Sequence, residues 1–112
     1  MIGIIDLSEN SGRILDAPST VHVGDWFVVS VTTRGDSCVR ADGADIEVRG
    51  TIVVITPRDI VSYAHGCLEY DAPYTRAVKL RLNQVGAGAI RVRGRDNDGR
   101  LVMMERAIRV TE

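Results

Sequence analysis

Apolar and polar residues alternate with a period of two through most of this chain, and this alternation constrains the fold more than any other feature. Successive residues of a β-strand point to opposite faces, whereas an α-helix needs apolar residues three and four positions apart. Within residues 26–33 the pattern places Phe27, Val29 and Val31 on one face. Alternating or wholly apolar stretches predict five further strands, at residues 44–49, 51–56, 76–83, 89–95 and 101–110.

Turn-forming residues separate these stretches, as in Gly24-Asp25, Asp42-Gly43 and Asp98-Gly99. Shorter strands at residues 2–7 and 20–23 bring the expected number to seven or eight. Many short strands with turns between them are typical of a β-sandwich, and 112 residues suffice for one domain. We therefore predict an all-β fold, a single immunoglobulin-like antiparallel β-sandwich domain over residues 1–112.

Two interruptions of the pattern predict local irregularities. Pro57 is expected to end the strand at residues 51–56, because proline cannot donate to a sheet ladder. This leaves residues 57–75 as a long irregular loop. Arg106 breaks the inward parity of the last strand, between Met104 and Ile108, so we expect a bulge or an edge twist there.

Cys38 and Cys67 are the only cysteines, and each stands beside loop-forming residues. Such a pair in a β-domain favours one disulfide and an oxidising compartment. Two free thiols in a cytosolic protein are the alternative. No stretch approaches the roughly 20 apolar residues of a membrane span, and the first residues do not resemble a signal peptide. We predict a cell-envelope (periplasmic or outer-surface) or secreted bacterial protein, whose export signal or lipid anchor would precede this chain.

The residue pattern offers no recognisable catalytic machinery. His65 and Cys67 share one stretch, but nothing arranges a base and an orienting group around the thiol. No Cys-x-x-Cys or His-x-x-x-His pair is present to start a zinc site. Asp96 and Asp98 offer oxygen ligands for calcium, but the downstream glutamate of an EF-hand is missing. We predict no enzyme activity, no cofactor and no metal, with Asp96 and Asp98 as the calcium alternative.

Charge composition bears on the class of partner. The chain has 14 lysines and arginines against 15 acidic residues, a net charge of −1. A balanced chain is not drawn to nucleic acid or to anionic lipid by bulk electrostatics. We therefore expect no nucleic acid partner, and the lack of a long apolar stretch predicts no membrane-spanning segment.

Two groups of residues are candidates for a partner surface. If Phe27, Val29 and Val31 face the core, then Trp26 and Val28 face outward, either covered by neighbouring segments or exposed to a partner. The loop at residues 57–75 has the composition of a contact surface. The residues of that loop that we assign to the surface are Tyr63, His65, Tyr70 and Tyr74.

Arg91, Arg93 and Arg95 alternate with inward residues and form an arginine stripe on one sheet face. If the strand at residues 44–49 pairs alongside, Asp45 and Glu47 lie opposite the stripe and a solvated charge ladder results. The other interpretation is a face that binds an anionic or carbohydrate ligand, because arginine suits bidentate recognition.

Several segments carry a resemblance, namely VHVGD (21–25), GDSC (35–38), ITPRD (55–59), GC (66–67), RAVKLRL (76–82) and VGAGAIRVRGR (85–95). Together they resemble the Ig-like domains of uncharacterised small lipoproteins and exported proteins of Gram-negative bacteria. The resemblance implies an envelope location and a paired Cys38 and Cys67. The chain also shares the Val-Gly-Asp entry and the size of chagasin-type cysteine-protease inhibitors, but it lacks both of their inhibitory motifs.

These expectations lead to one functional prediction. The chain is a non-catalytic envelope or extracellular Ig-like module that acts through protein–protein contact. It would be an accessory subunit of a larger assembly or an adhesive module. The alternative is a soluble binding domain for an anionic or carbohydrate ligand through the arginine-lined face.

Overall fold

The computed structural model describes residues 1–7, 14–61, 66–67 and 72–112, and eight β-strands lie within these ranges. The strands are β1 (Leu15–Asp16), β2 (Thr20–His22), β3 (Trp26–Gly35), β4 (Val39–Arg49), β5 (Ile52–Val61), β6 (Ala72–Arg81), β7 (Gly86–Arg95) and β8 (Leu101–Thr111). The predicted all-β class and number of strands are confirmed.

The strands form two sheets that pack face to face, as predicted for an immunoglobulin-like sandwich. One sheet has three strands in the order β1-β3-β6, and the other has five in the order β2-β8-β7-β5-β4. The first two strands contribute to different sheets, since β1 pairs with β3 and β2 pairs with β8. Most neighbours are antiparallel, but the pairings β2–β8 and β5–β7 are parallel.

The core lies between the sheets and is built from the residues that the alternation placed inward. Val29 and Val31 of β3 are fully buried, as are Ile55 of β5 and Val92 of β7. Burying an aliphatic side chain of this size contributes about 1.5–3 kcal/mol. The predicted inward face of residues 26–33 is therefore confirmed.

Pro57 does not end a strand, so the prediction of a loop from residue 57 is wrong. Strand β5 continues through Pro57 to Val61. Proline is tolerated here because its oxygen accepts from the Gly3 N–H, so the side of the strand on which its N–H is missing faces the N-terminal residues and not β4. Opposite it, the register of β4 shifts between Ala41 and Ala44. On the other side, the pairing of β5 with β7 extends only to Ile55.

The expected irregularity at Arg106 is also not present. Strands β7 and β8 pair in one unbroken register, in which Arg106 lies opposite Ile90. Arg106 keeps the inward parity of Met104 and Ile108 and is half-buried. The register shift of the described residues lies instead on β4, an edge strand, where bulges are common.

The N-terminal residues connect both sheets rather than forming the strand predicted at residues 2–7. The Gly3 N–H donates to the Pro57 oxygen at 2.9 Å, and the Ile5 N–H donates to the Arg95 oxygen at 3.0 Å. The Ile4 oxygen accepts from the Arg34 N–H, on the three-stranded sheet, at 2.8 Å. The segment thus fills the space between β5 and β7 beyond the point where their pairing ends.

A buried ion pair crosses from one sheet to the other. Arg76 of β6 and Asp59 of β5 lie 2.8 Å apart and are 6% and 3% exposed. The Thr33 hydroxyl donates to Asp59 Oδ1 at 3.3 Å and accepts from Arg76 Nη2. Arg76 Nη1 also donates to the Arg58 oxygen at 2.7 Å. Both Arg76 Nη atoms and Asp59 Oδ1 therefore have polar partners within the apolar core, which lowers the penalty for burying the two charges, while Arg76 Nε has no hydrogen-bond partner.

Gly88 of β7 occupies a position with no room for a side chain. A Cβ atom there would lie 2.1 Å from the Thr51 main-chain oxygen. We expect Gly88→Ala to lower the free energy of unfolding by about 1–3 kcal/mol, because the backbone must shift to relieve the overlap. Urea denaturation followed by circular dichroism measures this change. Ala107→Val, at an exposed position of β8, is the control, and equal stabilities of the two variants would contradict the prediction.

Candidate functional site

Trp26 and Val28 lie on the outer face of the three-stranded sheet, as their parity predicted. Trp26 is 57% exposed and Val28 is 56% exposed, whereas Val29 between the sheets is fully buried. Both outward residues belong to β3, the central strand of that sheet. Two large apolar side chains are therefore exposed on the outer face of this sheet, where β3 pairs with β6.

Two cations lie over the tryptophan ring. Lys79 Nζ and Arg81 Cζ each lie 5.0 Å from the centroid of the Trp26 ring. The register explains this, because Arg81 is opposite Trp26 and Lys79 is opposite Val28. Within the described ranges neither cation forms an ion pair with a carboxylate. We call these four residues the Trp26 patch.

The patch occupies one end of its sheet face, and the rest of the face is small and polar. Ser30 lies opposite Ala77, and Thr32 lies opposite Thr75 with their hydroxyl oxygens 2.8 Å apart. The patch is thus a local concentration of aromatic, apolar and cationic side chains. The alternation places Trp26 and Val28 outward, and likewise Lys79 and Arg81, but it does not predict that the two cations lie beside the tryptophan ring.

The predicted tyrosine loop is described only in small part. Tyr63, His65 and Tyr70 lie outside the described residues. Tyr74 lies on β6 rather than in a loop, and it is half-buried. Its hydroxyl donates to the Asp36 main-chain oxygen in the turn after β3. Tyr74 is therefore held by the fold, and the structure gives it a stabilising contact at this end of the sandwich.

The disulfide predicted from the two cysteines is present. Cys38, in the turn between β3 and β4, is bonded to Cys67, with 5.3 Å between their Cα atoms. It links the connection between β3 and β4 to the connection between β5 and β6, instead of crossing the core. Asp36 stands beside it and accepts from the Cys38 N–H at 2.9 Å. Both sulfurs are used in the bond, so this group offers no thiolate to a metal. The disulfide indicates an oxidising compartment.

The arginine stripe does not form the predicted ladder with β4. Strand β5 lies between β7 and β4, and Asp45 and Glu47 pair with other arginines, Arg58 and Arg49, at 2.6 Å.

Two arginines of the stripe already have partners on other segments. Arg91 pairs with Glu105 of β8 at 3.0 Å, and Arg95 Nε donates to the Ile2 oxygen at 2.8 Å. Arg93 is exposed and has no ion-pair partner in the described part of the chain. It lines a shallow depression together with Glu47 and Val54. Of the three arginines of the stripe, Arg93 alone has no such partner among the described residues, and it shares its depression with the carboxylate of Glu47.

Asp96 caps the hairpin turn between β7 and β8. Its Oδ1 accepts from the main-chain N–H groups of Asp98 and Arg100, both at 2.9 Å. The turn is completed by the Gly99 N–H, which donates to the Asp96 oxygen at 3.1 Å. The aspartate at this position is therefore explained by turn formation, as is usual for this residue type.

Comparisons with known protein families, with curated protein sequences and with solved structures found no match to this chain. The resemblance to small exported proteins consequently stays a prediction. Among the described residues, no helix is long and apolar enough to cross a membrane.

Proposed function

We propose that this chain is a non-catalytic module that acts through protein–protein contact at the Trp26 patch. The observation that carries the proposal is the exposure of Trp26 and Val28 on the outer face of the three-stranded sheet. Burying such residues in an interface is favourable, and tryptophan and arginine are enriched among the residues that dominate binding energy.

The preorganisation of the patch supports the same proposal. Lys79 and Arg81 each lie 5.0 Å from the centroid of the Trp26 ring, and each contact of this kind contributes about 0.5–1 kcal/mol at an exposed site. Side chains that are already ordered lose less conformational entropy on binding. By contrast, the arginine-lined face has two of its three guanidinium groups held by Glu105 and by the Ile2 oxygen. Binding of an anionic or carbohydrate ligand at that face is therefore less well supported than protein contact at the Trp26 patch.

The location that we propose is the bacterial cell envelope, either the periplasm or the outer surface, or the extracellular space. The disulfide between Cys38 and Cys67 supports export, since such bonds persist in oxidising compartments. The sequence resemblance to small lipoproteins and exported proteins points the same way. In this setting the module would be an accessory subunit of a larger assembly or an adhesive module.

Trp26→Ala is expected to abolish co-purification of a partner from the native source, because the variant removes the largest exposed apolar side chain of the patch. Tagged wild-type and variant proteins are compared by quantitative mass spectrometry of the co-purified material. Leu101→Ala is the matched control, since Leu101 is 68% exposed but lies on the five-stranded sheet. Retention of every wild-type partner by Trp26→Ala would contradict the proposal.

A further inference from the structure

Strand β6 ends the three-stranded sheet, and among the described strands it pairs with β3 alone. An edge strand presents unpaired N–H and C=O groups to which another chain can add. Strand β4 approaches the middle of β6, where Arg76 Nη1 donates to the Gly43 oxygen at 3.3 Å. The segment that is left for a further strand is residues 77–81.

The two sheets differ in width, and this difference leaves apolar side chains uncovered on the inner face. Ile46 and Val48 of β4 are 45% and 47% exposed. Their cross-strand partners, Ile55 and Val53, are fully buried on that face. Neighbouring strands lie about 4.8 Å apart and stacked sheets about 10 Å apart. A fourth strand beside β6 would therefore lie over β4 and cover both side chains.

The outward side of the same edge is cationic. Lys79 and Arg81 point outward from β6 and are exposed. They contact the Trp26 ring but pair with no carboxylate in the ranges that the structure covers. Opposite charges on adjacent strands stabilise their pairing, and like charges destabilise it. An added strand would consequently be favoured if it carried carboxylates on its outward side.

This charge pattern disfavours a second copy of the chain as the added strand. Antiparallel pairing of residues 77–81 with the same residues of another copy would set Lys79 directly opposite Lys79. The unfavourable contact falls at the centre of the pairing. Cations on an edge strand are a common protection against such self-association. The occupant is therefore a different chain with the opposite charge.

We infer that residues 77–81 of β6 accept an added strand from a partner protein, an extended segment in which acidic side chains alternate with apolar ones. The acidic side chains lie outward beside Lys79 and Arg81, and the apolar ones cover Ile46 and Val48. This pairing uses main-chain hydrogen bonds for affinity and the alternating side chains for specificity. The inference rests on the proposed function, since it names the chemistry of the contacting partner.

The test uses the full chain and a short capped peptide of sequence Ser-Glu-Val-Asp-Ile-Glu-Val-Asp-Ser. Binding is followed by the fluorescence of Trp26, the only tryptophan of the chain, and by amide hydrogen exchange. We expect a saturable fluorescence change and increased protection of amides within residues 77–81. The same peptide with lysine in place of each acidic residue, and one with its acidic and apolar residues segregated, should bind at least about tenfold more weakly.

Variants of the chain separate the two parts of the surface. Lys79→Glu with Arg81→Glu should weaken peptide binding at least about tenfold, because each attraction becomes a repulsion. Ile46→Ser with Val48→Ser should weaken it about fivefold through the loss of apolar contact. Arg109→Glu, an exposed charge reversal on the five-stranded sheet, is the matched control and should leave the affinity unchanged.

Several results would overturn the inference. These are an affinity that neither double variant changes, equal binding of the segregated peptide, and unchanged exchange within residues 77–81. Binding of polygalacturonate in place of the peptide would also overturn it, and would indicate an acidic polysaccharide as the ligand. If the peptide fails but Trp26→Ala still loses its native partner, the strand addition falls while the proposed function stands. If the peptide does not bind and Trp26→Ala also keeps its native partner, both the strand addition and the proposed function are contradicted.

Discussion

Replacing Arg76 with methionine is expected to lower the free energy of unfolding by about 3–5 kcal/mol. The variant leaves Asp59, which is 3% exposed, as an uncompensated charge between the sheets. It also removes the donor to the Arg58 oxygen and to the Thr33 hydroxyl. Urea denaturation followed by far-ultraviolet circular dichroism measures the loss, which is a large fraction of the 5–15 kcal/mol typical of a small domain.

A second arginine–aspartate pair of the same chain supplies the control. Arg58 and Asp45 lie 2.6 Å apart, but their side chains are 40% and 65% exposed. Arg58→Met should therefore cost less than about 1 kcal/mol. The double variant Asp59→Leu with Arg76→Met should lose less free energy of unfolding than its two single variants lose together, because no buried charge remains. Similar small losses of unfolding free energy in Arg76→Met and Arg58→Met would contradict the prediction, since burial would then not determine the cost of breaking the pair.

Removing the disulfide with Cys38→Ser and Cys67→Ser should cost about 3.5 kcal/mol on the chain-entropy model, mainly by releasing the unfolded chain. The two cysteines are separated by 29 residues, so the closed loop is long enough for a substantial effect. The same denaturation experiment measures it. Dithiothreitol should lower the stability of the wild-type protein to that of the double variant and leave the variant unchanged. Two free thiols in natively oxidised material would contradict both the bond and the argument for export.

For β3, local alternation was sufficient to predict which face of the strand is buried. Val29 and Val31 are buried and Trp26 and Val28 are exposed, because the two faces of a strand depend only on neighbouring residues. The disulfide could also be predicted, since two cysteines beside loop-forming residues have one possible partner each. The cations beside Trp26 required the register of β3 with β6, which local alternation does not contain.

Features that depend on how strands are distributed between sheets could not be predicted. Ile46 and Val48 have inward parity, yet they are exposed because only three strands face the five-stranded sheet. Pro57 has the local signature of a strand end, but β5 continues through it, with the Pro57 oxygen bonded to the N-terminal segment. These outcomes arise from residues distant in the chain.

The sequence contained one half of the evidence for the buried pair of Arg76 and Asp59. Arg76 shares the parity of Val78 and Leu80, so the alternation of β6 places it inward. Its partner Asp59 could be recognised only if β5 continued beyond Pro57. An arginine that faces the core requires a buried acceptor. Asp59 can be that acceptor only because β5 continues through Pro57.

The parallel pairing of β2 with β8 determines how a pulling force would act on this chain. The pairing sets Thr20, Val21 and His22 beside Arg109, Val110 and Thr111. A pulling force that enters through β2 and leaves through β8 acts in opposite directions along two parallel neighbours. Their hydrogen bonds are then loaded together in shear instead of being opened one after another. Sliding β2 past β8 along the strand axis therefore requires these hydrogen bonds to break together.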